Sequence, residues 1–128
     1  MIQVAAAILR NSRNEVLICQ RPKGKHCEFL WEFPGGKQEK GETLAECLIR
    51  ECKEELDIEI EILEEIAVTQ YEYPAFRVHI TFFEAKILQG EPVGKEHQKI
   101  IFAPIFQLSQ FQFCPADQDL VTQLSKQL

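Results

Sequence analysis

The stretch GGKQEKGETLAECLIRECKEELDI, Gly35 to Ile58, decides how the rest of the chain is read. Thr43 with Glu46 has the form of a capping box, so a helix is expected from near Thr43 to near Leu56. At about 100° per residue, Glu51, Glu54 and Glu55 share one sector, beside a separate apolar stripe of Ala45, Ile49, Cys52 and Leu56. Each like-charge pair at this spacing costs about 0.2–0.5 kcal/mol in an isolated helix. Lys53, the nearest base, points to another face and is not expected to neutralise them. A divalent cation would turn this repulsion into binding, and hard carboxylate oxygens suit Mg²⁺ or Mn²⁺. The glycine pair ahead of the helix lets a ligand approach the main chain and can add a carbonyl ligand.

Composition sets the frame around that helix. The chain has 128 residues, 45% of them apolar, and reads as a single domain over residues 1–128. Its net charge of −6, from 20 acids against 14 bases, argues against polymeric nucleic acid as a partner. A small nucleotide, whose phosphates arrive with a cation, remains compatible. Five cysteines without a Cys-x-x-Cys pair or zinc spacing suggest a reduced, cytoplasmic protein. The opening MIQVAAAILR is too short an apolar run for a signal peptide or membrane span.

Outward from the helix, strands dominate. Ile2–Leu9 and Val16–Cys19 read as two strands joined by a polar hairpin at Asn11–Asn14. Arg21 opens a loop, and Trp31–Phe33 is a short aromatic stretch stopped by Pro34. Two β-rich runs, Ile58–Gln70 and Val78–Leu88, meet at a Tyr73-Pro74 turn, and Lys99–Ala103 is a last short strand. Pro115-Ala116-Asp117 precedes a terminal helix with Leu120, Val121 and Leu124 on its apolar side. The expected architecture is α/β, a mixed sheet covered by helices on its two faces.

The spacing Gly36-x5-Glu42-x7-Arg50-Glu51-x2-Glu54-Glu55 resembles the Nudix box of the Nudix hydrolases. Two residues depart from that pattern: Cys52 replaces a larger aliphatic, and Asp57 stands where glycine ends the helix. Asp tolerates left-handed geometry, so an intact but strained helix end is expected. QRP at Gln20–Pro22, WEFPGGK at Trp31–Lys37, GEPVGKEHQ at Gly90–Gln98 and PAD at Pro115–Asp117 resemble the MutT branch of the family.

The resemblance implies an α/β/α Nudix sandwich and hydrolysis of a nucleoside triphosphate, notably 8-oxo-dGTP, to monophosphate and pyrophosphate. It implies that Glu51, Glu54, Glu55 and the Gly36 carbonyl hold Mg²⁺, or Mn²⁺, with Glu96 as a further ligand or base. Arg50 would pair with Glu42 and steady the helix, and Lys37 would sit near the phosphates. Glu51 is the first choice for general base and Glu96 the second.

Arg21, Phe33, Phe113 and Asp117 are the candidates for holding the base. Phe33 and Phe113 equally suit a core, and Asp117 equally suits an N-cap for the terminal helix. A carboxylate at 117 only accepts hydrogen bonds, which would suit a cytosine amino group or the N7–H of oxidised guanine. CTP or 5-methyl-dCTP is therefore the alternative substrate. Another nucleoside diphosphate derivative, or a non-catalytic nucleotide-binding module, is a further alternative. His26 and His97 read as surface residues and His79 as a strand residue. A monomer is expected.

Overall fold

Strand β1 (Ile2–Leu9) is apolar without alternation because both of its faces are covered. In this computed structural model, which describes residues 1–126, Ala5, Ala7 and Leu9 face helix α1 (Leu44–Leu56). Ala6 and Ile8 face the opposite way, into the cluster that holds Leu120, Val121 and Leu124 of helix α2 (Gln118–Ser125). The strands therefore lie between two helices, and the α/β/α layering is as expected.

The pairing differs from the sequence reading in one respect. β1 and β2 (Glu15–Gln20) do not form a ladder; Arg10 and Val16 make a single bridge, and the chain then crosses into a second sheet. The first sheet is mixed. β1 pairs parallel with β6 (Arg77–Gln89) and antiparallel with β4 (Gly35–Lys37), and β5 (Glu59–Glu72) closes the other edge against β6. The second sheet is antiparallel, with β2 between β3 (Trp31–Glu32) and β7 (Lys99–Pro104). A hairpin signal specifies a turn, and which strand then pairs is decided by packing at long range.

Two approaches bring the site elements together. Gly35 lies so close to β1 that a Cβ there would collide with the Ala5 carbonyl, which is why β4 carries glycine beside an alanine strand. The segment after β6 returns to α1 through Val93 N–H to Leu56 O (2.9 Å) and Lys95 N–H to Glu55 O (3.1 Å). Gln98 N–H to Gln20 O (3.0 Å) fixes its far end.

Helix α1 begins with the expected capping box: Glu46 N–H donates to Thr43 Oγ1 at 3.1 Å and Thr43 N–H to Glu46 Oε1 at 2.8 Å. Its buried face is rotated from the predicted stripe. Cys47, Leu48, Cys52 and Leu56 are buried, whereas Ala45 is half-buried and Ile49 exposed. Asp57 closes the helix in the left-handed region, φ 58 and ψ 39. A non-glycine residue there is strained by roughly 1 kcal/mol. Its ion pairs to Lys53 (3.7 Å) and Lys95 (4.0 Å) are exposed and worth little in return. Asp57→Gly is thus expected to raise stability by about 0.5 kcal/mol in urea unfolding, and a loss would mean the exposed pairs outweigh the strain.

Candidate active site

The acids of α1 are already neutralised in part, by the residue just before them in sequence. The Arg50 guanidinium donates to Glu42 from Nε (3.0 Å) and Nη2 (2.7 Å), and from Nη1 to Glu51 (2.8 Å) and Glu54 (3.3 Å). Glu39 lies 3.2 Å from Nε, and the Lys37 carbonyl accepts from Nη2 at 3.2 Å. The expected Arg50–Glu42 pair is present. The expectation that no base reaches the acids is overturned, because a long, forked side chain spans from the glycine turn to the helix ridge.

Two depressions meet along β4. One, of about 510 Å³, is lined by Glu51 and Glu55 of α1, Glu96 and His97 of the returning loop, and Arg21, Lys25 and Lys37. The second, of about 250 Å³, is largely apolar, with Phe33, Phe76, Val78 and Ile80 in its wall and Asp117 among its polar residues. Arg21, Glu32, Gly35, Gly36 and Lys37 border both. Arg21 Nη1 donates to Glu32 Oε2 at 3.3 Å, so this ion pair forms part of the partition.

Of the predicted acids, Glu51, Glu55 and Glu96 share the first depression with Gly36, while Glu54 does not line it and stays exposed on Arg50. A Cβ added to Gly36 would come within 2.6 Å of Glu51 Oε2, so only glycine lets this carboxylate lie over the turn. The Gly36 carbonyl accepts from Cys47 Sγ at 3.5 Å. Burial first, then Glu51, then Glu32 and Glu96, push the Glu55 carboxyl up to about 8. Crowded carboxylates beside a carbonyl are a hard-oxygen donor set that fits Mg²⁺ or Mn²⁺. Among the described residues no three acidic, histidine or cysteine side chains already stand as a finished cage; Arg50 holds Glu51 by Oε1 and leaves Oε2 over the glycine turn.

The base-side candidates divide. Arg21, Phe33, Lys37 and Asp117 line the apolar cavity. Phe113 does not; it is buried behind Phe33, ring centroids 5.2 Å apart, as its size and hydrophobicity favour. Asp117 makes no side-chain capping bond to α2 and is 5% exposed. Burial, then Glu32, raise its carboxyl well above the usual range, with Arg21 opposing.

Several lining residues escaped the sequence reading. Glu32 sits inside the WEFPGGK stretch, where the glycines drew attention. Tyr73, read only as part of a turn, and Phe76, not singled out, meet His26 edge-on with ring centroids at 4.3 and 4.9 Å, so that ring is packed although exposed. His97 is not a surface residue, its side chain being only 5% exposed.

A mixed sheet between helices, with a glycine turn and an acid-bearing helix beside a cleft of about 510 Å³, is an arrangement that can serve a phosphate-ester or anhydride hydrolase. The chain belongs to the NUDIX domain family, which matches residues 5–123. It is a Nudix hydrolase of the nucleotide pyrophosphohydrolase type. An 8-oxo-dGTP diphosphatase of Escherichia coli strain K12 is 33% identical over 125 residues, covering 98% of this chain and 97% of its own. A CTP pyrophosphohydrolase of the same strain is 34% identical over 117 residues, covering 91% and 86%. The solution structure of the E. coli ORF135 protein superposes with a TM-score of 0.82 at 33% identity, covering 95% of this chain and 86% of that one.

Arg50 and the Glu39 N–H hold the Glu42 carboxyl down to about 2. A depressed folded-state pKa gives stability that is complete above the unfolded value of about 4.3 and fades as pH falls through the folded one. The stability difference between wild type and Glu42→Gln, from urea unfolding, should be constant above about pH 6 and close between about pH 4.5 and 2. A difference as wide at pH 3 as at pH 7 would refute the Arg50 clamp.

Proposed function

We propose that the protein hydrolyses a nucleoside triphosphate, with 8-oxo-dGTP as preferred substrate, to the monophosphate and pyrophosphate in the presence of Mg²⁺. The observation that carries this reading is the shared border of the two depressions. A base in the apolar cavity would leave its phosphates in the cleft lined by Lys25, Lys37, Glu51, Glu55 and Glu96. The relatives at 33–36% identity that act on 8-oxo-dGTP support the substrate class.

Gly36 O, Glu51, Glu55 and Glu96 would hold the metal, with Glu54 as an outer contributor. A divalent cation there supplies charge neutralisation of phosphate oxygens and a more acidic water. Glu51, lying over the glycine turn, would take a proton from the attacking water, and Glu96 is the second choice. Lys25 and Lys37 would orient the phosphates, while Arg21, paired with Glu32 at the partition, would face the base. Arg50 acts through the carboxylates it positions.

Asp117 is suited to reading the edge of an oxidised guanine. Its buried setting favours the neutral acid, and a protonated carboxyl donates and accepts, as an amide does. Such a group can serve both O6 and N7–H of 8-oxoguanine. An ionised carboxylate, accepting only, would serve N7–H of 8-oxoguanine or a cytosine amino group, the latter reading being supported by the CTP-acting relative.

Incubation with 8-oxo-dGTP, CTP, 5-methyl-dCTP and ADP-ribose, scoring products with and without Mg²⁺, tests the reaction. Pyrophosphate release fastest from 8-oxo-dGTP, lost with EDTA and reduced about a hundredfold or more in Glu51→Gln, is the expected result. Orthophosphate release would contradict it. At the base, Asp117→Asn should keep 8-oxo-dGTP turnover within about fivefold, while Asp117→Ala should lower kcat/KM about tenfold to a hundredfold. Full activity in the alanine variant would remove Asp117 from base recognition.

A further inference from the structure

His97 is turned inward from an exposed loop. Its neighbours Glu96 and Gln98 are exposed, but its own ring is sealed at the junction of α1, β3 and the returning loop. Nε2 lies 3.9 Å from Glu55 Oε2 and 4.0 Å from Glu32 Oε2. Nδ1 is buried with no hydrogen-bond partner. A core histidine normally satisfies both nitrogens. Here one is left unsatisfied while the other faces two carboxylates.

The surroundings narrow the role. Among the described residues no other basic side chain comes within 4.0 Å of Glu55, since Arg50 serves Glu39, Glu42, Glu51 and Glu54. Glu55 is also held through its backbone, whose carbonyl accepts from Lys95 N–H in the loop that carries Glu96 and His97. The ring therefore joins the acid helix, the Glu96 loop and the Arg21–Glu32 partition.

We infer that His97 is a positioning residue of the hydrolytic reaction, its Nε2 edge steering the Glu55 carboxylate as the 3.9 Å gap closes to a hydrogen bond, and fixing the Glu96 loop so that both acids face a cation. This rests on the metal-dependent reaction proposed above. An N–H aimed at a ligating carboxylate orients that ligand without touching the metal, and loss of such a partner commonly costs tenfold to a hundredfold in metal affinity or activity. The ring does not itself contact substrate in this assignment.

The test compares His97→Gln, whose amide donor reaches the place of Nε2, with His97→Leu, which fills the space without a donor. Mn²⁺ binding to the protein alone is read by electron paramagnetic resonance, and kcat and nucleotide KM by Mg²⁺ titration. His97→Leu should weaken Mn²⁺ binding about tenfold and lower kcat about tenfold. KM at saturating Mg²⁺ should stay within about threefold. His97→Gln should restore most of both losses. Wild-type Mn²⁺ binding and kcat in His97→Leu would overturn the assignment, as would equal losses in the two variants, which would show packing alone. If His97→Leu does not fold, His97→Asn, whose amide sits near the place of Nδ1, replaces it, and equality with His97→Gln overturns the inference. A wild-type protein that neither binds Mn²⁺ nor turns over with Mg²⁺ would sink the preceding proposal, and this one with it. An active wild type with an indifferent position 97 sinks this one alone.

Discussion

The site depends on the Arg50 guanidinium. A helix that gathers Glu51, Glu54 and Glu55 on one ridge must fold before any cation is bound, and its like charges oppose that. Arg50 relieves the repulsion at Glu51 and Glu54 and ties the ridge to Glu39 and Glu42 in the turn before the helix. Because a single planar fork serves several acceptors, it also fixes direction. Glu51 is brought over Gly36, where no larger residue would allow it. Lysine would offer a point charge without that geometry.

Strand β1 turns this local clamp into a site. Its alanines allow β4 to pack close, and the missing Cβ of Gly35 permits the closest approach. The strand's alternate residues support α1 on one side and the cluster containing Phe33 and Phe82 on the other. Small residues in a central strand bury less apolar surface than larger ones. Here they allow β4, with depressions along it, to stand between the acid cleft and the apolar cavity.

The features legible in sequence were those set by local chemistry. The capping box at Thr43, the left-handed Asp57 and the spans of β5 and β6 follow from neighbouring residues, and the structure reproduces them within two residues. The separation of β1 and β2 into different sheets was not legible, because pairing is settled by contacts far apart in the chain. The phase of α1 was misjudged where Ile49 looked more apolar than Cys47, yet Cys47 faces the core. Reach was misjudged as well. Periodicity places Cα atoms on a helix, while Arg50 crosses its ridge with a side chain longer than the sector it starts from. Glu32 and His97 are the converse case. Neither has a pattern, and each becomes informative only when three elements converge on it.

The charges in the larger cleft are segregated. Arg21 and Lys25 come from the loop before β3, and Lys37 from β4, whereas Glu51 and Glu55 come from α1 and Glu96 from the loop docked on it. A polyanion would be repelled by one wall and attracted by the other, so it would lie along the basic side with its reacting phosphorus turned toward the acids. Glu32 interrupts this division, a carboxylate on the basic side that pairs with Arg21 and comes within reach of His97. It thereby keeps Arg21 at the partition instead of leaving it free to swing into the phosphate cleft. In the proposed reaction, base selection and phosphate orientation would thus be joined through one ion pair. On that reading the box on α1 would define the reaction, while residues far from it in sequence would determine what is hydrolysed.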